Sequence, residues 1–303
     1  MKYCIQVMLM VASGSSLTFA QSDLYVFNGI KNGPDNTEIL NSALNYVNTN
    51  NISKIVIPEG KYFFHTKPDD IDFDIEIEGS GKNKTILYRD YIELNGNGFF
   101  NYTPGSAGSK LSNMTIKSTV SSSGGAALRL YGNLTGAPDF SVFENLILTY
   151  ETNANKNWDY AVVIDGTERT ALSVGGAIGV RDVDFFGSQL FSGKVGALRL
   201  NGVVAFSFQG GGIFWGGNKP SEGPKVAVYI DGTEEVESYY INIDTTVIPG
   251  LLLQRSIYGN FRAGVIDGDI TTSSFTRDNL VLGPVYGTVE EFWVNSKHIN
   301  PAN

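Results

Sequence analysis

The chain has 303 residues, a formal net charge of −9, 35 glycines, 15 tyrosines and 18 phenylalanines. Charged residues make up only 17%, against roughly 25% in an ordinary soluble protein, which disfavours long surface helices and favours many short strands joined by tight turns. The acidic balance and the lack of any Lys/Arg run exclude nucleic acid as a partner at the level of net charge, and a single cysteine, Cys4, excludes a disulfide framework.

Residues 1–20 combine Lys2, a mostly apolar run from Ile5 to Leu17 and a small-residue exit ending at Ala20. This is the pattern of a signal peptide, and it makes the expected product a secreted or cell-surface protein starting at Gln21. The competing reading is a buried first strand or an amphipathic docking segment. No later stretch is long and apolar enough to form a transmembrane segment.

Between Asn28 and Tyr62 the order is turn, helix, strand, turn, strand. Gly29 and Gly33-Pro34 mark turns, and Asn36 or Thr37 can cap a helix. Ile39, Leu40, Ala43, Leu44 and Tyr46-Val47 then recur with helical spacing. Lys54–Ile57 reads as a short β-branched strand, Pro58-Glu59-Gly60 as a turn and Tyr62–Phe64 as the next strand. The stretches Asn32-Gly33-Pro34-Asp35-Asn36-Thr37 and Ile55-Val56-Ile57-Pro58-Glu59-Gly60-Lys61-Tyr62 resemble the N-terminal cap of the pectate-lyase-like superfamily, above all its tailspike and epimerase-like branches. The resemblance covers about 40 residues and implies an all-β chain: a right-handed, single-stranded parallel β-helix with an N-terminal capping helix. The expected organisation is a signal peptide over 1–20 and one β-helix domain over 21–303, capped by about 28–62.

From Ile71 onward short β-rich runs alternate with Gly, Asn and Ser, among them Ile75–Glu78, Thr85–Tyr88, Met114–Ile116, Ala127–Leu130, Leu146–Leu148 and Val226–Ile230. Ala161–Glu168 returns as Ala227–Glu234 after 66 residues, which divides into three coils of 22, and Leu128–Gly132 returns as Leu198–Gly202 after 70. Loops are expected to bulge at 103–110, 131–139, 149–159 and 210–224. Phe275–Phe292 reads as a last coil with a C-terminal cap, and Lys297–Asn303 as a frayed tail.

A coil points side chains alternately in and out, and outward positions of successive coils line up about 4.8 Å apart. Such a face suits an extended polymer, so a polysaccharide is the expected partner. Asp182 and Asp184 flank Val183 and can both point outward, either as an acid/base pair, as ligands of Ca²⁺ (the one cofactor this donor set indicates), or as a solvated strand face paired with Arg181. Asp165 and Asp231 recur before glycine, as turn geometry explains. Arg129 and Arg199 lie in Leu-Arg-Leu settings that turn them outward, where they can grip an anionic sugar or pair with local acids. Trp158, Asp159, Tyr160 and Trp215 sit in Gly- and Asn-rich surroundings, as sugar platforms or as rings pinning loops to the coil. Only His65 and His298 are present, so no His/Asp/Ser triad or histidine zinc site can be read from the sequence.

Polygalacturonase-like members carry Gly-His-Gly and Arg-x-Lys, both absent here; only Asn242-Ile243-Asp244 matches an Asn-x-Asp motif. Pectate-lyase-like members pair Ca²⁺ carboxylates with a catalytic arginine, a set that Asp182, Asp184 and Arg199 would imitate. The resulting expectation is a lyase or glycosidase acting on an extended glycan. The alternatives are a non-catalytic glycan binder or tailspike-like adhesin, virion-borne and trimeric in the tailspike case, and a purely structural solenoid.

Overall fold

We describe a computed structural model of the chain. It describes residues 24–92, 97–103, 108–120, 125–132, 141–151, 158–166, 180–191, 193–201 and 203–214, and between 228 and 299 the strands alone. Side chains are described up to residue 214, apart from those of 132, 180–182, 201 and 203–205. The expected signal peptide over 1–20 lies outside the described residues.

The chain opens with β1 (Leu24–Val26), α1 (Thr37–Thr49), β2 (Lys54–Ile57), β3 (Gly60–Phe64), β4 (Glu76–Gly79) and β5 (Thr85–Arg89). It continues through β6 (Gly98–Tyr102), β7 (Lys110–Ser118), β8 (Ala126–Gly132), β9 (Ser141–Tyr150), β10 (Tyr160–Gly166) and β11 (Val180–Phe191). Next come β12 (Gly196–Asn201), β13 (Val203–Phe214), β14 (Val228–Asp231), β15 (Glu234–Asp244), β16 (Leu251–Gln254) and β17 (Asn260–Asp267). Last are β18 (Ile270–Thr272), β19 (Leu280–Val281), β20 (Val285–Tyr286), β21 (Phe292–Val294) and β22 (Lys297–Ile299).

Apart from the antiparallel pair β21–β22, every named strand pairs in parallel with strands of the neighbouring coils. β6, β8, β10, β12, β14, β16 and β18 form a seven-stranded sheet, and β1 to β20 otherwise form a thirteen-stranded one. The larger sheet is folded along its length. β4 pairs with the first residues of β7, Lys110 to Ser112, while β5 pairs with the last, Thr115 to Ser118. It therefore makes two faces, and the seven-stranded sheet makes the third. This is a right-handed parallel β-helix with an N-terminal helix.

The fold line between the first two faces has a local cause. Ser112, Glu144, Phe186 and Gln209 are register partners in turn, and each is followed by a residue in the left-handed region: Asn113 (φ 59), Asn145 (φ 54), Gly187 (φ 56) and Gly210 (φ 60). Most side chains lose 1–2 kcal/mol there, whereas Gly and Asn enter readily. The asparagines also bond along the axis: Asn145 Nδ2 donates to Asn113 Oδ1 (2.7 Å), and Asn113 Nδ2 donates to Glu78 Oε1 (3.1 Å). The corner thus carries its own hydrogen-bonded ladder.

Inside, register partners stack. Phe143, Phe185 and Phe208 occupy successive rungs, with ring centroids 4.9 and 5.7 Å apart, and the last two rings are parallel to within 2°. All three are buried. At the start, α1 buries Leu40, Ala43, Leu44 and Val47 in the same cluster as Ile55 and Ile57. That seals apolar side chains which the first coil would otherwise leave open to water. Tyr46 belongs to the helical stripe read from the sequence but lies half exposed, against Tyr25. Nor does Asn36 cap the helix. It is fully buried and bonds Ile30, Pro34 and Phe63, and the capping acceptor is the carboxylate of Asp35, which takes Thr37 N at 3.0 Å.

Other sequence expectations shift as well. Ile164 is registered with Leu200, and Leu200 with Ile230, so the 66-residue repeat is two coils of 36 and 30 residues, not three of 22. Residues 149–150 and 210–214, expected in loops, complete β9 and β13 because the ladder extends through them. Of the remainder, 152–157 and 215–224 lie outside the described residues. Lys297–Ile299, expected to fray, pairs with β21.

Asn145→Ala should lower stability by about 1–2 kcal/mol in urea unfolding, since it loses both the left-handed allowance and the axial bond. Asn145→Gly, which keeps the backbone allowance, should lose less. Burial pushes the Asp35 carboxyl up, but hydrogen bonds from the Thr37 hydroxyl and the His65 and Thr37 amides outweigh it and hold the group below its ordinary value. Its contribution is then fully present above the ordinary carboxylate range and lost as pH falls through the folded value. Asp35→Ala should accordingly cost about 1 kcal/mol at neutral pH, and the gap in melting temperature should close in acid.

Candidate functional site

Outward positions differ sharply between the two faces of the larger sheet. On the first face Lys54 lies 3.2 Å from Glu76 and 2.5 Å from Glu78, and Lys110 lies 3.7 Å from Glu76 and 3.4 Å from Glu144. The hydrogen bond from Lys54 holds Glu78 below its ordinary value, and the reciprocal bond raises Lys54. These charges satisfy one another from rung to rung, so this face is a self-paired ladder.

The second face is different. One outward line runs Phe63, Tyr88, Lys117 and Thr149, register partners in turn, and then Phe191 and Phe214, also partners; Thr149 and Phe191 each follow directly on the last pair of β9 and β11, Leu148 with Leu190. All six are half-buried. Phe63 and Tyr88 stack at 4.7 Å and 13°, Lys117 Nζ lies 5.7 Å from the Tyr88 centroid, and Phe191 and Phe214 lie 5.3 Å apart. Aromatic rings kept on the outer side of a sheet mark a surface that meets a partner more often than bare solvent.

Two residues further along each strand lies a second outward line. His65, Asp90, Thr119 and Glu151 follow the last rungs, because the ladder continues through Asp90 N to Phe64 O, Thr119 N to Arg89 O and Glu151 N to Ser118 O. His65 Nδ1 lies 3.3 Å from Asp90 Oδ2, with the two side chains 45% and 39% exposed. Both are open to a ligand. The Thr119 hydroxyl lies 2.8 Å from Asp90 Oδ1, and His65 N donates to Asp35 Oδ1 at 2.9 Å. The backbone of His65 is therefore anchored, and its ring faces the Asp90 carboxylate. Among the described residues no three of Asp, Glu, His and Cys converge in a metal-binding group.

The residues singled out from the sequence are dispersed. Asp184 is half-buried on β11, flanked by the buried Val183 as the alternation required, and it accepts a hydrogen bond from the Ser207 hydroxyl. The side chain of Asp182 lies outside the described set, as does Trp215. Arg199 belongs to β12 of the other sheet, registered with Val163 and Tyr229, so the register does not bring it to Asp184. Arg129 is engaged by its neighbours: Asp165 at 3.9 Å, Asn97 at 3.4 Å and the Tyr131 ring at 4.9 Å. Asp159 is half-buried and joins coils through its backbone, taking the amides of Val195 and Gly196 on its carbonyl; Tyr160, also half-buried, begins β10. Trp158 is fully buried, with the Arg89 guanidinium 5.7 Å from its ring. It pins its segment to the coil and offers no platform to a sugar.

The residues the sequence reading missed are Phe63, Tyr88, Lys117 and the His65–Asp90 pair. No local signal marks them, since they meet only through a register set by loops of unequal length.

No protein-family model matches the chain, and no curated protein matches it. Among solved structures it is similar to ORF18 of Geobacillus virus E2, with 15% identity, a TM-score of 0.48 and coverage of 90% of this chain and 61% of that one. The chain thus spans less than two thirds of that protein. It is also similar to the A-modules of the mannuronan C-5 epimerases AlgE4 and AlgE6 of Azotobacter vinelandii. For AlgE4 the identity is 12%, the TM-score 0.35 and the coverage 88% of this chain and 96% of that one. For AlgE6 the figures are 12%, 0.29, 90% and 98%. These likenesses are too distant to carry chemistry to any side chain.

Trp158→Ala should lower unfolding stability by about 3–5 kcal/mol, the cost of emptying a large core site. If that variant instead keeps its stability, Trp158 is not the internal pin its burial indicates.

Proposed function

We propose that the protein is a carbohydrate-active solenoid that binds an extended acidic polysaccharide along its second face and cleaves it by elimination. The single observation that carries the reading is the His65–Asp90 pair, 3.3 Å apart and exposed on that face, with Lys117 on the rung beyond that of Asp90. An imidazole is a common general base in proton abstraction. A carbon-bound proton next to a sugar carboxylate becomes removable when that carboxylate is neutralised, and Lys117, two rungs along the same face, supplies a cation to the path. In the proposed step His65 Nε2 takes this proton and the electron pair forms a carbon–carbon double bond. The neighbouring glycosidic carbon–oxygen bond breaks, and the departing oxygen receives a proton from the imidazolium or from water. Asp90 Oδ2, 3.3 Å from Nδ1, faces the imidazolium that this step forms. Hydrolysis by two facing carboxylates is less well supported, because Asp90 already faces His65 and Thr119.

Under this reading the wild-type protein, offered a panel of acidic polysaccharides, releases an unsaturated product absorbing in the ultraviolet. His65→Gln should slow that release by about a hundredfold or more while retention on the same polysaccharide persists. Retention without any unsaturated product from the wild-type protein would leave a non-catalytic glycan binder, and full turnover by His65→Gln would remove the assigned base.

A further inference from the structure

The aromatic line on the second face contains two ring pairs, and the proposed chemistry uses only the surroundings of the first. Phe63–Tyr88 lies beside His65. Phe191–Phe214 lies at the fifth and sixth rungs of the same line, with centroids 5.3 Å apart at 34°. Between them stand Lys117 and Thr149, the latter the smallest side chain of the six. With rungs about 4.8 Å apart, the first and sixth positions are separated by roughly 24 Å. Neither far ring is used by the core, which stacks on the inward residues Phe185 and Phe208 of the same two strands. Both remain half-buried on the outer side.

We propose that Phe191 and Phe214 form a distal saccharide-binding subsite, continuous with the site at His65 and occupied by a later portion of the same glycan chain. This deepens the reading of the second face as a glycan surface and rests on it. The occupant follows from continuity: the two ring pairs lie on a series of neighbouring, paired strands whose register runs up to Leu148 and Leu190, one residue before Thr149 and Phe191, and a chain lying along the solenoid axis passes over both. Sugar rings present apolar C–H faces that settle on aromatic carbon, while Lys117 and Gln189 edge the path with groups able to bond hydroxyls and carboxylates. A glycan too short to span the line gains nothing from the far pair. The protein would then favour polymers over short oligosaccharides by multivalent contact along a single ligand.

The test is calorimetric binding of size-graded acidic oligosaccharides, from two to about ten units, prepared from polygalacturonate, alginate and hyaluronan. His65→Gln serves as the background, so that turnover does not intrude. Affinity should rise with length until the line is spanned. Adding Phe214→Ala should weaken binding of the long fragments roughly fivefold to tenfold and leave that of the short ones unchanged. Phe214→Tyr, which keeps the ring, should retain the length dependence, and this conservative variant separates loss of contact from loss of fold. If fragments bind but affinity does not depend on length, or Phe214→Ala weakens long and short fragments alike, the distal subsite is wrong and the glycan reading stands. If no fragment of any length binds, the glycan reading falls and the subsite falls with it.

Discussion

The parallel hydrogen-bond ladder between successive coils is the constraint on which the rest of this molecule depends. Each rung must present its amides and carbonyls to the next, so the chain returns to the same angular position whatever the length of the excursion between. Lys54 is registered with Glu76 after 22 residues, and Val142 with Asp184 after 42. The left-handed corner at Asn113, Asn145, Gly187 and Gly210 repeats at the same place in each coil. It divides the larger sheet into faces that stay aligned along the axis.

Alignment makes each face a column of like positions, and the columns diverge in chemistry. On the first face, alternating Lys and Glu neutralise one another across rungs. On the second, rings, a lysine and a histidine–carboxylate pair accumulate without comparable mutual cancellation. The core between them is filled by stacked phenylalanines, so the outward rings of the second face are not spare core residues. The ladder holds the backbone of His65 through Asp35 and brings its ring to 3.3 Å from Asp90.

Much of the fold was legible in the residues. The helical stripe through Leu40, Ala43, Leu44 and Val47 located the cap, and the alternation around Val183 placed it inward and Asp184 outward. The polar turn was read less well. Asn36 and Asp35 are adjacent and both suited to capping, and only the return of the chain at Phe63 and His65 decides which caps and which is buried. Trp158 shows the same limit from the other side: a tryptophan among Asn, Lys and Asp looks exposed until the coils close over it. The repeats were seen but mis-divided, because 66 residues is equally consistent with three short coils or two long ones, and loop length is not a local property.

The sequence by itself determined which residues alternate in and out and where the capping helix lies, features that follow from periodicities of two to four residues, which short-range geometry dictates. Its longer repeats and the resemblance of its cap pointed to a solenoid. Only the tertiary structure decided that His65 meets Asp90, that Arg199 sits on a different sheet from Asp184, and that Phe63, Tyr88, Lys117, Thr149, Phe191 and Phe214 form one line. Each of those relations joins residues on different strands, and the offset between neighbouring rungs changes with every intervening loop. The register that fixes it is a property of the closed ladder, not of any segment within it.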